Sequence, residues 1–234
     1  MYLHEVVLSN LPVLVQALVA LNIGVYFNSI SSEFLLSQII TYYLFTIIIT
    51  TFQRGNLLRE FEAEIAVGGV ANYLIRPINF IYFKLFKEFS SKIYTSLTNF
   101  FLLLIISIIF FTIPFFSFDL LLRAVIILPI TLINYFLILA IFMYLCLIFE
   151  KISDLYRIFG MSAFFIGGGV IQTSYFPDFF NYLPQQFLYG RPIEFILNGQ
   201  LKNFEIGVFY FVLWIVLIIL LNKYTMKRLE TNGG

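Results

Sequence analysis

Six long apolar stretches dominate the chain; five are close to the ~20 residues that a helix needs to cross a membrane, and the fourth is longer. They lie at about 11–27, 34–52, 93–113, 120–149, 158–175 and 206–221. Hydrophobic residues make up 61% of the 234 positions and charged residues only 12%, so the chain has too little polar surface to cover itself in water. The sequence therefore predicts an all-α integral membrane protein of six transmembrane helices, in a single domain over residues 1–234.

Lysine and arginine are distributed unevenly along the chain. With the N-terminus on the cytoplasmic side, 11 of the 14 basic residues fall in the cytoplasmic connectors or the C-terminal tail. The three exceptions are Arg123, Arg191 and Lys202. Because basic residues near span ends favour the cytoplasmic side, we expect a multi-pass protein of the plasma or inner membrane with both termini cytoplasmic. The first ten residues lack a basic region and a small-residue cleavage site, so we expect no cleaved signal peptide.

The long connector between spans two and three, residues 53–92, carries a short amphipathic pattern. Its apolar stripe is Leu57, Leu58, Phe61 and Ile65, and its charged residues are Arg59, Glu60, Glu62 and Glu64. This spacing predicts a helix that ends near Gly68 and Gly69. Arg76-Pro77 is then a break, and an amphipathic Phe/Lys stretch follows, suited to the lipid headgroup boundary. The segment is either a solvated loop with an interfacial helix or a docking element for a cytoplasmic partner.

The second long connector, residues 176–205, is punctuated by Pro177 and Pro184 and broken again at Arg191-Pro192. Residues 183–189 and 193–197 can form short helices between these points. On the residues alone the segment is an extracellular loop. Irregular backbone at membrane depth would need protein or water to satisfy it.

A run of glycines at Gly167–Gly169 lies inside the fifth apolar stretch. It is not followed by Lys-Ser/Thr and no strand precedes it, so it is not a phosphate loop. It indicates close helix packing or a bend. Gly168 could also flank a substrate path, together with Gln172, Thr173 and, in the first span, Asn22. Asn134, in the middle of the fourth span, is expected to form hydrogen bonds between helices.

The chain offers little material for enzyme chemistry. It has one histidine, His4, and one cysteine, Cys146. These cannot supply a metal cluster, a catalytic triad or an internal disulfide. No nucleotide-binding motif is present, and a net charge of +1 indicates no nucleic-acid partner. The sequence predicts a chain that is not an enzyme and binds no cofactor itself.

Four segments together resemble the permeases of type-2 ABC exporters. They are Glu64-Ile65…Gly68…Tyr73-Leu74-Ile75-Arg76-Pro77, the tyrosine-rich Thr41–Phe45, the segment Phe176–Gly199 and the tail ending in Gly233-Gly234. The similarity covers nearly the whole chain in order and spacing. One feature departs from the family: an amphipathic helix, often basic, usually precedes the first span, whereas only ten residues precede it here.

The resemblance implies a function and a set of partners. Two permeases, identical or paralogous, would form the pathway in the lipid, and two ABC ATPase subunits would bind beneath with ATP and Mg. A cytoplasmic coupling helix would receive the ATPases through Arg59, Glu60, Glu62, Glu64 and Gly68, and Arg76 and Pro77 would set the start of the third span. Short re-entrant helices would close the outer end within 176–205. The cargo, a small molecule, peptide or lipid, stays open.

Two alternatives remain on the residues alone. A secondary transporter or channel would need ionisable residues within the membrane or an inverted repeat, and the sequence shows neither. A membrane anchor without a pathway would fit the sparse chemistry equally well.

Overall fold

A computed structural model describes residues 33–53, 55–68, 79–111, 117–149, 151–170, 173, 176–200 and 202–232. Every regular element in these ranges is helical, as predicted. The α-helices are α1 (Glu33–Gln53), α2 (Leu57–Ala66), α3 (Phe80–Phe111), α4 (Phe118–Phe149), α5 (Ser153–Ile166), α6 (Gly190–Asn198) and α7 (Phe204–Asn232). Two 3₁₀ helices, Asp178–Tyr182 and Pro184–Phe187, precede α6. The predicted span at 11–27 lies outside the described residues.

The helix α4 forms the centre of the described fold. It contacts α1, α2, α3, α6 and α7, and it is apolar on all sides, as a helix surrounded by protein and lipid must be. Within the described residues, two helical segments are long and apolar enough to cross a membrane, α4 and Phe204–Thr225 of α7. The most apolar part of α4 is 56% buried, whereas that of α7 is 6% buried. Thus α4 supplies the core and α7 presents an outer apolar face.

The helix α3 begins earlier than predicted. The Phe/Lys stretch before residue 93 is continuous with the third span and forms the first turns of α3, whose 32 residues extend about 48 Å. Two lysines of this stretch are buried in the protein. Lys84 pairs with Glu64, and Lys92 lies 3.4 Å from the carbonyl oxygen of Thr51 near the end of α1, where the helix dipole favours a cation.

The predicted helix over 158–175 was wrong in its extent. Helix α5 begins at Ser153 and ends at Ile166, and its 14 residues extend only about 21 Å, less than the ~30 Å of a bilayer core. The chain turns at Gly167–Gly169, where Gly168 has a φ of +102°. That conformation is accessible to glycine and costly for other residues.

The segment between α5 and α7 contains short helices, as predicted, but Arg191-Pro192 does not break it. Both residues lie in the first turn of α6, where proline is tolerated because the N–H it lacks has no helical partner. Helix α6 ends at Gly199, which has a φ of +70°. The following helix, α7, continues to Asn232, well past the predicted end at 221.

Candidate functional site

The predicted coupling helix is α2, and its amphipathic character is confirmed. Leu58 and Phe61 are buried against the core, and Leu57 and Ile65 pack beside them. The helix ends where predicted, since Gly68 has a φ of +73° and its N–H donates to the carbonyl oxygen of Ile65 at 3.0 Å. A left-handed glycine just past the last turn is a common helix end.

The charged residues of α2 divide into two sets. Arg59 and Glu60 are exposed to solvent. Glu62 and Glu64 instead point towards the rest of the protein and bind two other helices. The predicted docking surface therefore has two charged residues available for a partner, Arg59 and Glu60.

Glu62 caps the N-terminus of α5. Its carboxylate accepts hydrogen bonds from the backbone N–H groups of Ile152 and Ser153, the latter at 2.5 Å, and from the Ser153 hydroxyl at 2.6 Å. Burial raises the pKa of Glu62, but the hydrogen bonds from Ser153 and Ile152 and the charge of Arg59 outweigh it, so the pKa lies below its ordinary value. A carboxylate at this position also suits the helix dipole.

Glu64 joins α2 to α3. One carboxylate oxygen lies 2.5 Å from the ammonium of Lys84, and that ammonium also lies 5.7 Å from the ring centroid of Phe61. Because the Lys84 side chain is 9% exposed, this ion pair is screened less than a surface pair. The two glutamates therefore fix α2 to both α3 and α5.

Asn79 organises the start of α3, a role that sequence reasoning missed. Its side-chain oxygen accepts a hydrogen bond from the N–H of Ile81 at 3.1 Å, as a helix N-cap does. Its amide nitrogen lies 3.3 Å from the Tyr144 hydroxyl and 3.4 Å from the Asn222 side-chain oxygen. An asparagine directly before the helical Phe/Lys run was the available signal. Arg76 and Pro77 lie outside the described residues.

The C-terminus of α5 is held as firmly as its N-terminus. The Tyr42 hydroxyl donates to the Gly168 carbonyl at 2.6 Å and the Tyr43 hydroxyl to the Val170 carbonyl at 2.8 Å. The Gln186 amide donates to the carbonyl of Ile166 at 2.6 Å. Gln186 thus satisfies a carbonyl that the helix end leaves without a helical partner, and the two tyrosines hold the turn that follows α5.

The glycine run is a point of close packing, as predicted. The Gly190 N–H, at the start of α6, donates to the Gly167 carbonyl at 2.8 Å. A Cβ on Gly168 would lie 2.7 Å from the Tyr42 hydroxyl oxygen. Gly168 is buried. Asn22 and Gln172 lie outside the described residues.

A polar cleft opens beside this turn, with a volume of about 560 Å³. It is lined by Thr173, Phe176, Asp178, Asn181, Tyr182, Arg191, Glu194, Lys202 and Asn203. The Thr173 hydroxyl donates to the Glu194 carboxylate, and Arg191 pairs with the same carboxylate at 2.7 Å. Of the pathway candidates, Thr173 therefore lies in a polar site. Asn134 is buried, and its side-chain oxygen accepts no hydrogen bond among the described residues.

These features define a helical membrane protein in which a short amphipathic helix is fixed to a long apolar core. The family model described as ABC-2 family transporter protein matches residues 13–230, and the chain belongs to this family. No curated protein and no solved structure gives a significant match. Membership makes the chain a membrane transport permease, a non-catalytic subunit rather than an enzyme, and implies association with ABC ATPase subunits.

Proposed function

We propose that this chain is the permease subunit of an ATP-driven exporter of the cell membrane. Two copies, or one copy and a paralogue, form the pathway, and two separate ATPase subunits supply ATP and Mg²⁺. The observation that carries the proposal is the division of charges on α2. Arg59 and Glu60 are exposed for a partner, while Glu62 and Glu64 fasten the same helix to α5 and α3.

The proposed coupling is mechanical. When ATP closes the ATPase pair, α2 moves with it, and the contacts of Glu62 and Glu64 carry the motion into the bundle as a rigid-body step. Gly68 ends the moving helix, and Arg76 and Pro77 set the direction of the chain before α3. Cargo passes between the permeases near the first, second and fifth spans, and Asn22, Gly168, Gln172 and Thr173 are the proposed pathway residues.

The test is to co-express the chain with an ABC ATPase encoded beside it. The variant Arg59→Glu with Glu60→Lys reverses the exposed charges and keeps Glu62, Glu64 and the residues that they bind. We expect about tenfold less ATPase to co-purify, since complementary charges set partner choice. Glu205→Lys, an exposed charge on α7, is the matched control and should retain the ATPase.

The outcomes also separate the alternatives. If the double variant retained the ATPase, Arg59 and Glu60 would not be part of the ATPase interface. Transport in vesicles without any ATPase would indicate a secondary transporter or channel. An ATPase that binds but whose hydrolysis never responds to the permease would indicate an anchor.

A further inference from the structure

The polar cleft carries four charged side chains whose charges cancel. Arg191 and Lys202 are cationic, and Asp178 and Glu194 are anionic. Asn181 and Asn203 add amide groups to the lining. A cleft of about 560 Å³ is within the size range of small-molecule sites. Its electroneutral lining, with donors and acceptors of both signs, favours a ligand that likewise carries both charges and no net charge.

Arg191 is built into the wall and fixes a positive charge there. The residue is 6% exposed, and one guanidinium nitrogen lies 2.7 Å from the Glu194 carboxylate. The Thr173 hydroxyl donates a hydrogen bond to the same carboxylate. The Arg191 Nε–H is closed off from solvent, so Arg191 contributes its charge to the wall and not this donor.

The two remaining charges lie exposed on the cleft lining. Asp178 begins the first 3₁₀ helix, and Lys202 lies in the turn before α7. Neither forms an ion pair within the part of the chain that the structure describes. Lys202 can therefore bind an anionic group together with Arg191, while Asp178 can accept hydrogen bonds from an ammonium.

We propose that this cleft binds a zwitterion that carries an oxyanion and a primary ammonium. The oxyanion contacts the Lys202 ammonium, and the ligand's ammonium contacts Asp178. Free amino acids, short peptides and the phosphoethanolamine headgroup of a lipid share this chemistry. The site does not depend on the proposed ATPase coupling, because its residues lie on α6, the 3₁₀ segment and the turn before α7, away from α2.

The experiment measures binding to the full chain in detergent by isothermal titration calorimetry. The zwitterionic probes are glycylglycine and glycerophosphoethanolamine, and the single-charge probes are dimethyl phosphate and ethanolamine. We expect the zwitterions to bind and the single-charge probes to bind at least tenfold more weakly. Lys202→Met and Asp178→Asn should each weaken zwitterion binding about three- to tenfold. Lys223→Met, an exposed lysine of α7, should leave it unchanged.

A lipid arm separates the two sources of the ligand. Native mass spectrometry would compare retention of phosphatidylethanolamine and phosphatidylcholine, whose quaternary ammonium cannot donate to Asp178. Selective retention of phosphatidylethanolamine, lost in Asp178→Asn, would assign the site to a lipid headgroup, and glycylglycine binding without it to a soluble zwitterion. Equal binding of single-charge probes, no effect of either variant, or no binding of any probe up to about 10 mM would overturn the proposal.

Discussion

At the scale of single residues, three glutamates with the same spacing have three different environments. Glu60 is exposed, Glu64 pairs with Lys84, and Glu62 caps α5. The sequence shows only an acidic run on a helix, because Ser153 lies 91 residues further along the chain. Replacing all three together would therefore remove a docking charge and two internal contacts at once, and such a variant could not assign a role to any of them.

The cap predicts a pH-dependent stability that belongs to Glu62. Its pKa is lowered in the folded protein, so its contribution is fully present above the unfolded value of ~4.3 and is lost as the pH falls through the folded pKa. Glu62→Gln keeps an acceptor but loses the charge, and should lower the free energy of unfolding at pH 7 by about 1 kcal/mol. The deficit relative to wild type should shrink towards pH 3.

Thermal unfolding in detergent across this pH range checks the prediction, with Glu60→Gln as the exposed control on the same helix. Glu60→Gln should match wild type at every pH. A Glu62→Gln variant as stable as the control at pH 7 would show that the cap contributes nothing, and a deficit that grows in acid would show that its contribution does not depend on the Glu62 charge.

At the scale of elements, the turn between α5 and the 3₁₀ segment depends on Gly168. Its φ of +102° disfavours any side chain, and a Cβ would lie 2.7 Å from the Tyr42 hydroxyl oxygen and 3.1 Å from the Gly190 Cα. We expect Gly168→Ala to lower stability by about 2–4 kcal/mol, since backbone strain and the clash with α1 and α6 act together.

The chain provides a matched control at the end of α2. Gly68 has a φ of +73°, and a Cβ there would meet no atom of the described residues within 4 Å. Gly68→Ala should therefore cost only the conformational penalty, about 1 kcal/mol. The thermal midpoints of the two variants in detergent measure the difference. Equal midpoints for the two variants would show that the turn at Gly168 accommodates a Cβ, and would contradict the predicted clash.

How far the sequence predicted these elements depends on the range of the interactions that fix them. Apolar periodicity and the glycine signal located α2 and its end, because both are local properties of the helix. The early start of α3 could not be predicted from its pattern. Lys84 and Lys92 resemble headgroup lysines until Glu64 and Thr51 are brought beside them by the fold. The end of α5 similarly depends on Tyr42, more than a hundred residues away.

At the scale of the whole molecule, α5 connects two regions of different chemistry. Glu62 holds its first turn to α2, Gln186 holds its last carbonyl to the 3₁₀ segment beside the polar cleft, and Tyr42 of α1 holds the turn that follows it. A 14-residue helix fixed at both ends moves as a rigid unit more readily than it bends. We therefore expect a displacement of α2 to be transmitted through α5 to the turn at Gly168. This transmission is the proposed coupling.

Sidedness is the property of the whole molecule on which this coupling depends, and it can be measured directly. The 32 residues of α4 extend about 48 Å, enough to cross a bilayer core of ~30 Å and to place Ser117 and Lys151 on opposite sides. Since Cys146 is buried and is the chain's single cysteine, single cysteines can be introduced in a Cys146→Ala background.

We expect an impermeant maleimide to label Ser117→Cys and Lys202→Cys in intact cells, and Lys151→Cys only after permeabilisation. All three native side chains are exposed, so each introduced thiol should be reachable from the aqueous phase on its own side. The positive-inside bias predicts this direction. Labelling of Ser117→Cys and Lys151→Cys from the same side would contradict the crossing of α4. The reverse pattern would keep the crossing but place α2, with Arg59 and Glu60, outside the cell, where no ATPase could bind it.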